Sequence, residues 1–151
     1  EESKTRPMGR GASGVRGIRL KSDSDEVIGM VSANDMDANI LVVSENGYGK
    51  RSSLSDYRIT NRGGKGVKTI SVTEKTGELV SIKSVSDADD LMIINKSGIA
   101  IRIEVANLRV MGRATQGVKL INLKETDQIA AVAKVMKDDD TFDDIDEIEV
   151  N

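Results

Sequence analysis

The sequence predicts an all-β fold in which a unit of about 50 residues is repeated like the blades of a propeller. Three observations carry this reading. Gly14-Val15, Gly66-Val67 and Gly117-Val118 recur at spacings of 52 and 51 residues. Arg10, Arg62 and Arg113 each stand four residues before the repeated glycine, and Arg16, Lys68 and Lys119 each stand two residues after it. Short β-type runs alternate with turn signals, and no long segment has a helical period. A unit of this size cannot bury its apolar face without neighbours, so the core must lie between units and function on the rim, where the repeated cations stand.

The elements follow in order. Ile40-Leu41-Val42-Val43 runs into Asn46-Gly47, and Leu91-Met92-Ile93-Ile94 runs into Ser97-Gly98 51 residues later. Each is an apolar run ending in a tight-turn pair, which reads as a hairpin. The returning strand of the second hairpin places Ile99, Ile101, Ile103 and Val105 on one face and Arg102 and Glu104 on the other, a period of two. The middle unit is expected to hold four strands, over 67–72, 79–85, 91–95 and 99–105, with Thr76-Gly77 turning the first pair. The third holds two, over 118–123 and 129–135. The chain thus divides into a blade over 1–57, a second over 58–108, a partial last blade over 109–136, and an acidic tail over 137–151. It starts and stops out of register with its own repeat, so the expectation is a partial ring whose other hairpins lie upstream of Glu1.

Composition removes most catalytic classes. The 151 residues contain no Cys and no His, which excludes disulfides, thiol redox chemistry, cysteine or histidine zinc sites and a histidine general base. Aromatic residues make up 2%, so the core must be built from Val, Ile, Leu, Ala and Met. No apolar run is long enough to span a membrane, and the start does not read as a secretory signal, so a cytoplasmic home and no membrane partner are expected. No cofactor is expected. The net charge of −3 conceals a split: residues 138–151 carry eight acids and no base, leaving +5 on the body. Such a tail has little to bury and reads as disordered, a competitor with any anionic ligand for the basic rim. It is not a calcium loop, because Asp143 stands where an EF-hand needs glycine.

The candidate site is the repeated basic, glycine-bearing segment. Arg62-Gly63-Gly64-Lys65-Gly66 combines point charges for phosphates with glycines that let backbone amides approach closely. It is not a nucleotide loop, since Ile59 and Gly66 occupy the places of the required glycine and Ser or Thr. Single-strand binders need stacking platforms, and only Tyr48, Tyr57 and Phe142 are aromatic. Duplex DNA held by its phosphates fits better. The expected contact residues are Arg10, Arg16, Lys50, Arg51, Arg62, Gly63, Gly64, Lys65, Gly66, Lys68, Arg102, Arg113 and Lys119. For the repeated arginines an inter-blade salt bridge is the structural alternative. For Lys50, Arg51 and Arg102, which follow the two hairpin turns, it is a solvated strand end. A β-repeat scaffold for protein partners stays open as a second reading.

Arg6-Pro7-Met8-Gly9-Arg10 with Gly14-Val15-Arg16-Gly17-Ile18, then Asn46-Gly47-Tyr48-Gly49-Lys50-Arg51, then Gly112-Arg113-Ala114-Thr115-Gln116-Gly117-Val118, resemble the C-terminal domain of bacterial DNA gyrase A. The resemblance runs to about Met136. It implies a β-pinwheel of four-stranded blades with duplex DNA wrapped on its basic edge. The implied partners are double-stranded DNA, the rest of gyrase A, and gyrase B. It also implies membership of an ATP-dependent type II topoisomerase that introduces negative supercoils. The catalytic tyrosine and the ATP site lie elsewhere in that enzyme, so no catalysis is expected of this chain alone. The family's signature box, Gln-Arg/Lys-Arg-Gly-Gly-Arg/Lys-Gly, is matched at five of seven positions by Thr60-Asn61-Arg62-Gly63-Gly64-Lys65-Gly66, which implies an internal copy with the principal box upstream. A related domain occurs in topoisomerase IV, but the full set of phrases favours gyrase.

Overall fold

A computed structural model describes residues 2–124 and 126–136, and the acidic tail over 137–151, with the expectation attached to it, lies outside the described residues. Among them the chain forms strands and short 3-10 turns, with no α-helix, and no helix long and apolar enough to cross a membrane. The strands are β1 (Asn39–Ser44), β2 (Tyr48–Ser53), β3 (Leu79–Val85), β4 (Asp89–Asn95), β5 (Ala100–Glu104), β6 (Val118–Lys119) and β7 (Ile129–Met136). They make an all-antiparallel partial β-pinwheel of two sheets, ordered β3-β1-β2-β6 and β5-β4-β7.

Both expected hairpins form. β1 and β2 close with Val43 opposite Gly49, and β4 and β5 with Ile94 opposite Ala100. The turn glycines Gly47 and Gly98 sit at φ +79° and +87°, which a side chain would resist. The other strands depart from expectation. β3 pairs with β1 and β7 with β4, so each hairpin is completed by a strand from the following unit rather than by its own neighbour. The same bulge recurs in both pairings, between Val43 and Ser44 and between Ile94 and Asn95.

The expected strand over 67–72 does not form, and the one expected over 118–123 shrinks to Val118–Lys119. A strand exists only where a partner satisfies its backbone groups. Gly49 and Tyr48 of β2 supply that partner to Val118 and Lys119, whereas nothing among the described residues pairs with the repeat-equivalent Val67 and Lys68.

β1 is buried on both faces, which accounts for its unbroken apolar run. Leu41 and Val43 join Val85, Leu91, Ile93, Val105, Ile129 and Val132 in the main core between the sheets. Ile40 and Val42 turn the other way, against Ile70, Leu54 and Tyr57. Among the described residues the second sheet is more open on one face: Leu91 and Ile93 are fully buried, while on the opposite side Met92 is part-buried and Ile94 is 37% exposed.

The repeated glycines share one backbone state, with Gly14, Gly66 and Gly117 at φ +79°, +77° and +78°. They differ in surroundings. A Cβ on Gly117 would meet the Gly49 carbonyl oxygen at 2.5 Å, whereas one on Gly14 would meet nothing within 4 Å. Gly14→Ala is expected to lose no more than the left-handed penalty of about 1–2 kcal/mol. Gly117→Ala adds a backbone collision and should lower the urea midpoint distinctly further; equal midpoints for the two variants would contradict this packing.

Candidate nucleic-acid interface

The three cationic segments are joined by a repeated pair of backbone hydrogen bonds. Gly63 N–H donates to Gly17 O at 2.8 Å and Arg19 N–H to Gly64 O at 2.9 Å. One unit later, Ala114 N–H donates to Thr69 O at 3.3 Å and Ser71 N–H to Thr115 O at 2.9 Å. Ile18 and Gly64 form a parallel bridge at the first of these joints. The first segment is thus bonded to the second, and the second to the third, by the same geometry. The joint repeats because the backbone pattern repeats: Gly63, at φ +73°, is answered in the third unit by Ala114 at φ +62°.

Arg10, Arg16, Arg62, Lys65, Lys68, Arg113 and Lys119 are all exposed. Among the described residues none of them takes part in an ion pair, so the inter-blade salt bridge is not observed for Arg10, Arg62 or Arg113. Arg62 Nη2 donates to the Lys4 carbonyl at 3.0 Å. The Arg113 guanidinium lies 5.9 Å from the Tyr57 ring centroid, and the Tyr57 hydroxyl is hydrogen-bonded to that of Thr69. Tyr57 therefore ties the second segment to the cation of the third.

Lys50 and Arg51 do not belong to a surface track. Their relative exposures are 1% and 6%, because β2 is central in its sheet and covered on both faces. Lys50 Nζ donates to Gly112 O at 2.7 Å and to Thr115 Oγ1 at 3.4 Å. Burial lowers its pKa from the ordinary lysine value, with Asp56 opposing the shift and Arg113 adding to it. Arg51 points the other way, where Nη1 donates to Val105 O at 3.1 Å and Nη2 pairs with Asp87 at 2.6 Å. Nor is Arg102 a solvated strand end. Its Nε meets Asp90 Oδ2 at 2.7 Å, which neutralises it locally. The remaining expected residues, the seven exposed cations with Gly63, Gly64 and Gly66, lie on the joined segments.

Side chains outside the repeat pattern add to the site. Lys75 Nζ lies 5.5 Å from the Tyr48 ring centroid, and a recess there is lined by Tyr48, Lys75, Lys119, Lys124 and Asp127. The Asp127 carboxylate is already engaged, accepting from Asn95 Nδ2 at 2.6 Å, Ser97 Oγ at 2.7 Å and Gln128 N at 2.9 Å. Those donors are neutral and the carboxylate keeps its charge, but three lysines line the recess against this one acid, so the local field is net positive. Among the described residues no group of Asp and Glu side chains is arranged to hold a metal ion.

A family model for the DNA gyrase C-terminal domain, beta-propeller, matches residues 6–34, 38–86 and 89–136. The chain belongs to this family. The chain is 50% identical over 141 residues to the A subunit of DNA gyrase from Staphylococcus aureus strain MRSA252, and 49% identical over 147 residues to that of strain NCTC 8325. These alignments cover 92% and 95% of the chain, which spans only 16% of the length of either relative. A solved DNA gyrase A C-terminal domain superposes with a TM-score of 0.77 at 28% identity, over 87% of this chain and 44% of that one. A topoisomerase IV C-terminal domain also gives 0.77, at 21% identity, over 90% of this chain and 42% of its own, which shows a shared fold.

The local chemistry makes two predictions. Ala114→Gly removes a left-handed penalty of about 1–2 kcal/mol against an entropic loss of about 0.5–1 kcal/mol, so thermal melting should rise modestly; a lower melting temperature would contradict the strained backbone. The Asp127 carboxyl is held below its ordinary range, first by the Ser97 hydroxyl. Its contribution is therefore present above the unfolded value of 3.8 and is lost as pH falls through the lower folded value. Urea unfolding of Asp127→Asn across that acid range should show a weaker pH dependence than the wild type.

Proposed function

We propose that this chain is a non-catalytic DNA-binding and DNA-wrapping part of the A subunit of DNA gyrase, the cytoplasmic, ATP-dependent type II topoisomerase that introduces negative supercoils. The observation that carries the reading is the repeated joint, which sets glycine-bearing, basic segments beside one another with their cations exposed and, among the described residues, outside any ion pair. Duplex DNA is the partner that this arrangement suits. Its charge is regularly spaced, and exposed Arg and Lys grip phosphates without reading bases.

The successive sequence units act as consecutive blades of a ring continued by the rest of the polypeptide. Cations stepping from blade to blade would bend the duplex along the edge, at a deformation cost of about 1–6 kcal/mol per 20–30 base pairs that the phosphate contacts offset. A bent segment presented in one sense gives the cleavage core, formed by the remainder of gyrase A with gyrase B, a crossing of fixed hand. The chemistry of strand passage stays with those parts. This chain supplies charge, spacing and curvature.

Duplex binding measured at several salt concentrations tests the reading. If the seven exposed cations neutralise about six phosphates, log K should fall with log salt at a slope near −5. Arg62→Ala with Lys65→Ala should make that slope shallower by about 2 while leaving the fold intact. A flat slope in the wild type would sink the proposal and favour a scaffold for protein partners.

A further inference from the structure

Lys50 is a buried cation that a surface track does not use. It reaches from β2 into the underside of the third segment, where Nζ donates to Gly112 O at 2.7 Å and to Thr115 Oγ1 at 3.4 Å. Those two acceptors bracket Arg113 and the left-handed Ala114. The repeat itself indicates that packing does not require the lysine. Its equivalent in the second hairpin is Ile101, which packs against the main core. A charge at this depth is unfavourable unless it is hydrogen-bonded, and both acceptors belong to one loop.

We propose that Lys50 is a positioning residue for DNA binding: by holding Gly112 and Thr115 from within the fold, it sets where Arg113 stands on the rim. Tyr57 supports the same cation from the side, through its ring. Lys50 touches no phosphate and acts only through the loop that it supports. The lowered pKa fits this placement, since burial and Arg113 disfavour its charge while Asp56 favours it. The inference rests on the DNA-binding reading and is narrower than it.

The test is a double-mutant cycle on duplex affinity with Lys50→Met and Arg113→Ala, using the 151-residue chain. Lys50→Met should weaken binding by about threefold to tenfold, the scale of one ordinary hydrogen bond, because the lysine acts on the bound phosphate only through the loop. In the Arg113→Ala background the same change should have almost no further effect, because the residue it positions is gone. A full and additive loss in that background would overturn the inference, as would wild-type affinity in a folded Lys50→Met. Thr115→Val, which deletes one acceptor and no charge, should give a smaller loss that also vanishes with Arg113→Ala, so the proposal stays testable if Lys50→Met does not fold. Failure of the wild type to bind duplex in a salt-dependent way would instead remove the broader reading.

Discussion

Backbone hydrogen bonds made between consecutive repeats, more than within them, hold this chain together. β3 lies on β1 and β7 on β4, each strand donated by the following unit. The cationic segments obey the same rule one level out, with residues 63–64 on 17–19 and 114–115 on 69–71. A repeat that borrows its outer strand cannot move alone, because a shift would leave buried backbone groups unpaired. The rim is therefore coupled to the sheets beneath it. Glycine makes the coupling sterically possible, since a common φ near +78° lets each segment turn, and at Gly117 it also lets the chain pass against Gly49 without a Cβ in the way.

The fate of each cation follows from which faces of its sheet are covered. Arg51 and Arg102 are equivalent in the repeat, yet Arg51 is buried against Val105 and Asp87 while Arg102 stays half-exposed beside Asp90. The first sheet has the second stacked on that face; among the described residues the second has nothing. A buried guanidinium needs partners for its donors, and Arg51 finds a carboxylate and two carbonyl groups for its terminal nitrogens, while Nε is buried without one among the described residues. The rim cations are exposed, and among the described residues none is spent in an ion pair, so their charge stays available to a long-range field.

Much of this was legible in the sequence where the signal is local. Asn46-Gly47 and Ser97-Gly98 fix hairpins through turn chemistry alone, and the alternation of Ile101, Arg102, Ile103 and Glu104 gave the correct face of β5. Residues 67–72 have the same local character as 118–119, but their strand depends on a neighbour that local character does not describe. Lys50 and Arg51 looked solvated because they are charged and follow a turn. The apolar run of the partner strand does not decide the matter, because β4 carries an equal run, Leu91 to Ile94, in a sheet that is more open on one face. What differs is the second sheet stacked on the first, which local character does not describe; with both faces of β2 covered, its adjacent cations, which point to opposite faces, both go inside. Tyr57 and Lys75 fall outside the period of the repeat, and no spacing argument reaches them.

The second and third segments reach a similar backbone course by different means, and the difference bears on how each would meet a phosphate. In the second, Gly63, Gly64 and Gly66 supply the turn, so the backbone can adjust to an approaching ligand and must lose that freedom on binding. In the third, Ala114 holds the left-handed conformation against its own Cβ, with Lys50 beneath the loop and Tyr57 beside Arg113. A loop restrained in this way would forfeit less entropy on contact with a phosphate. Its support is a second cation close to Arg113, and the two repel. An anion bound at Arg113 relieves that repulsion, whereas neutral contact does not. If Lys50 plays the positioning role proposed above, preorganisation and selectivity for negative charge would both arise from one buried side chain, at a position where the next repeat has isoleucine.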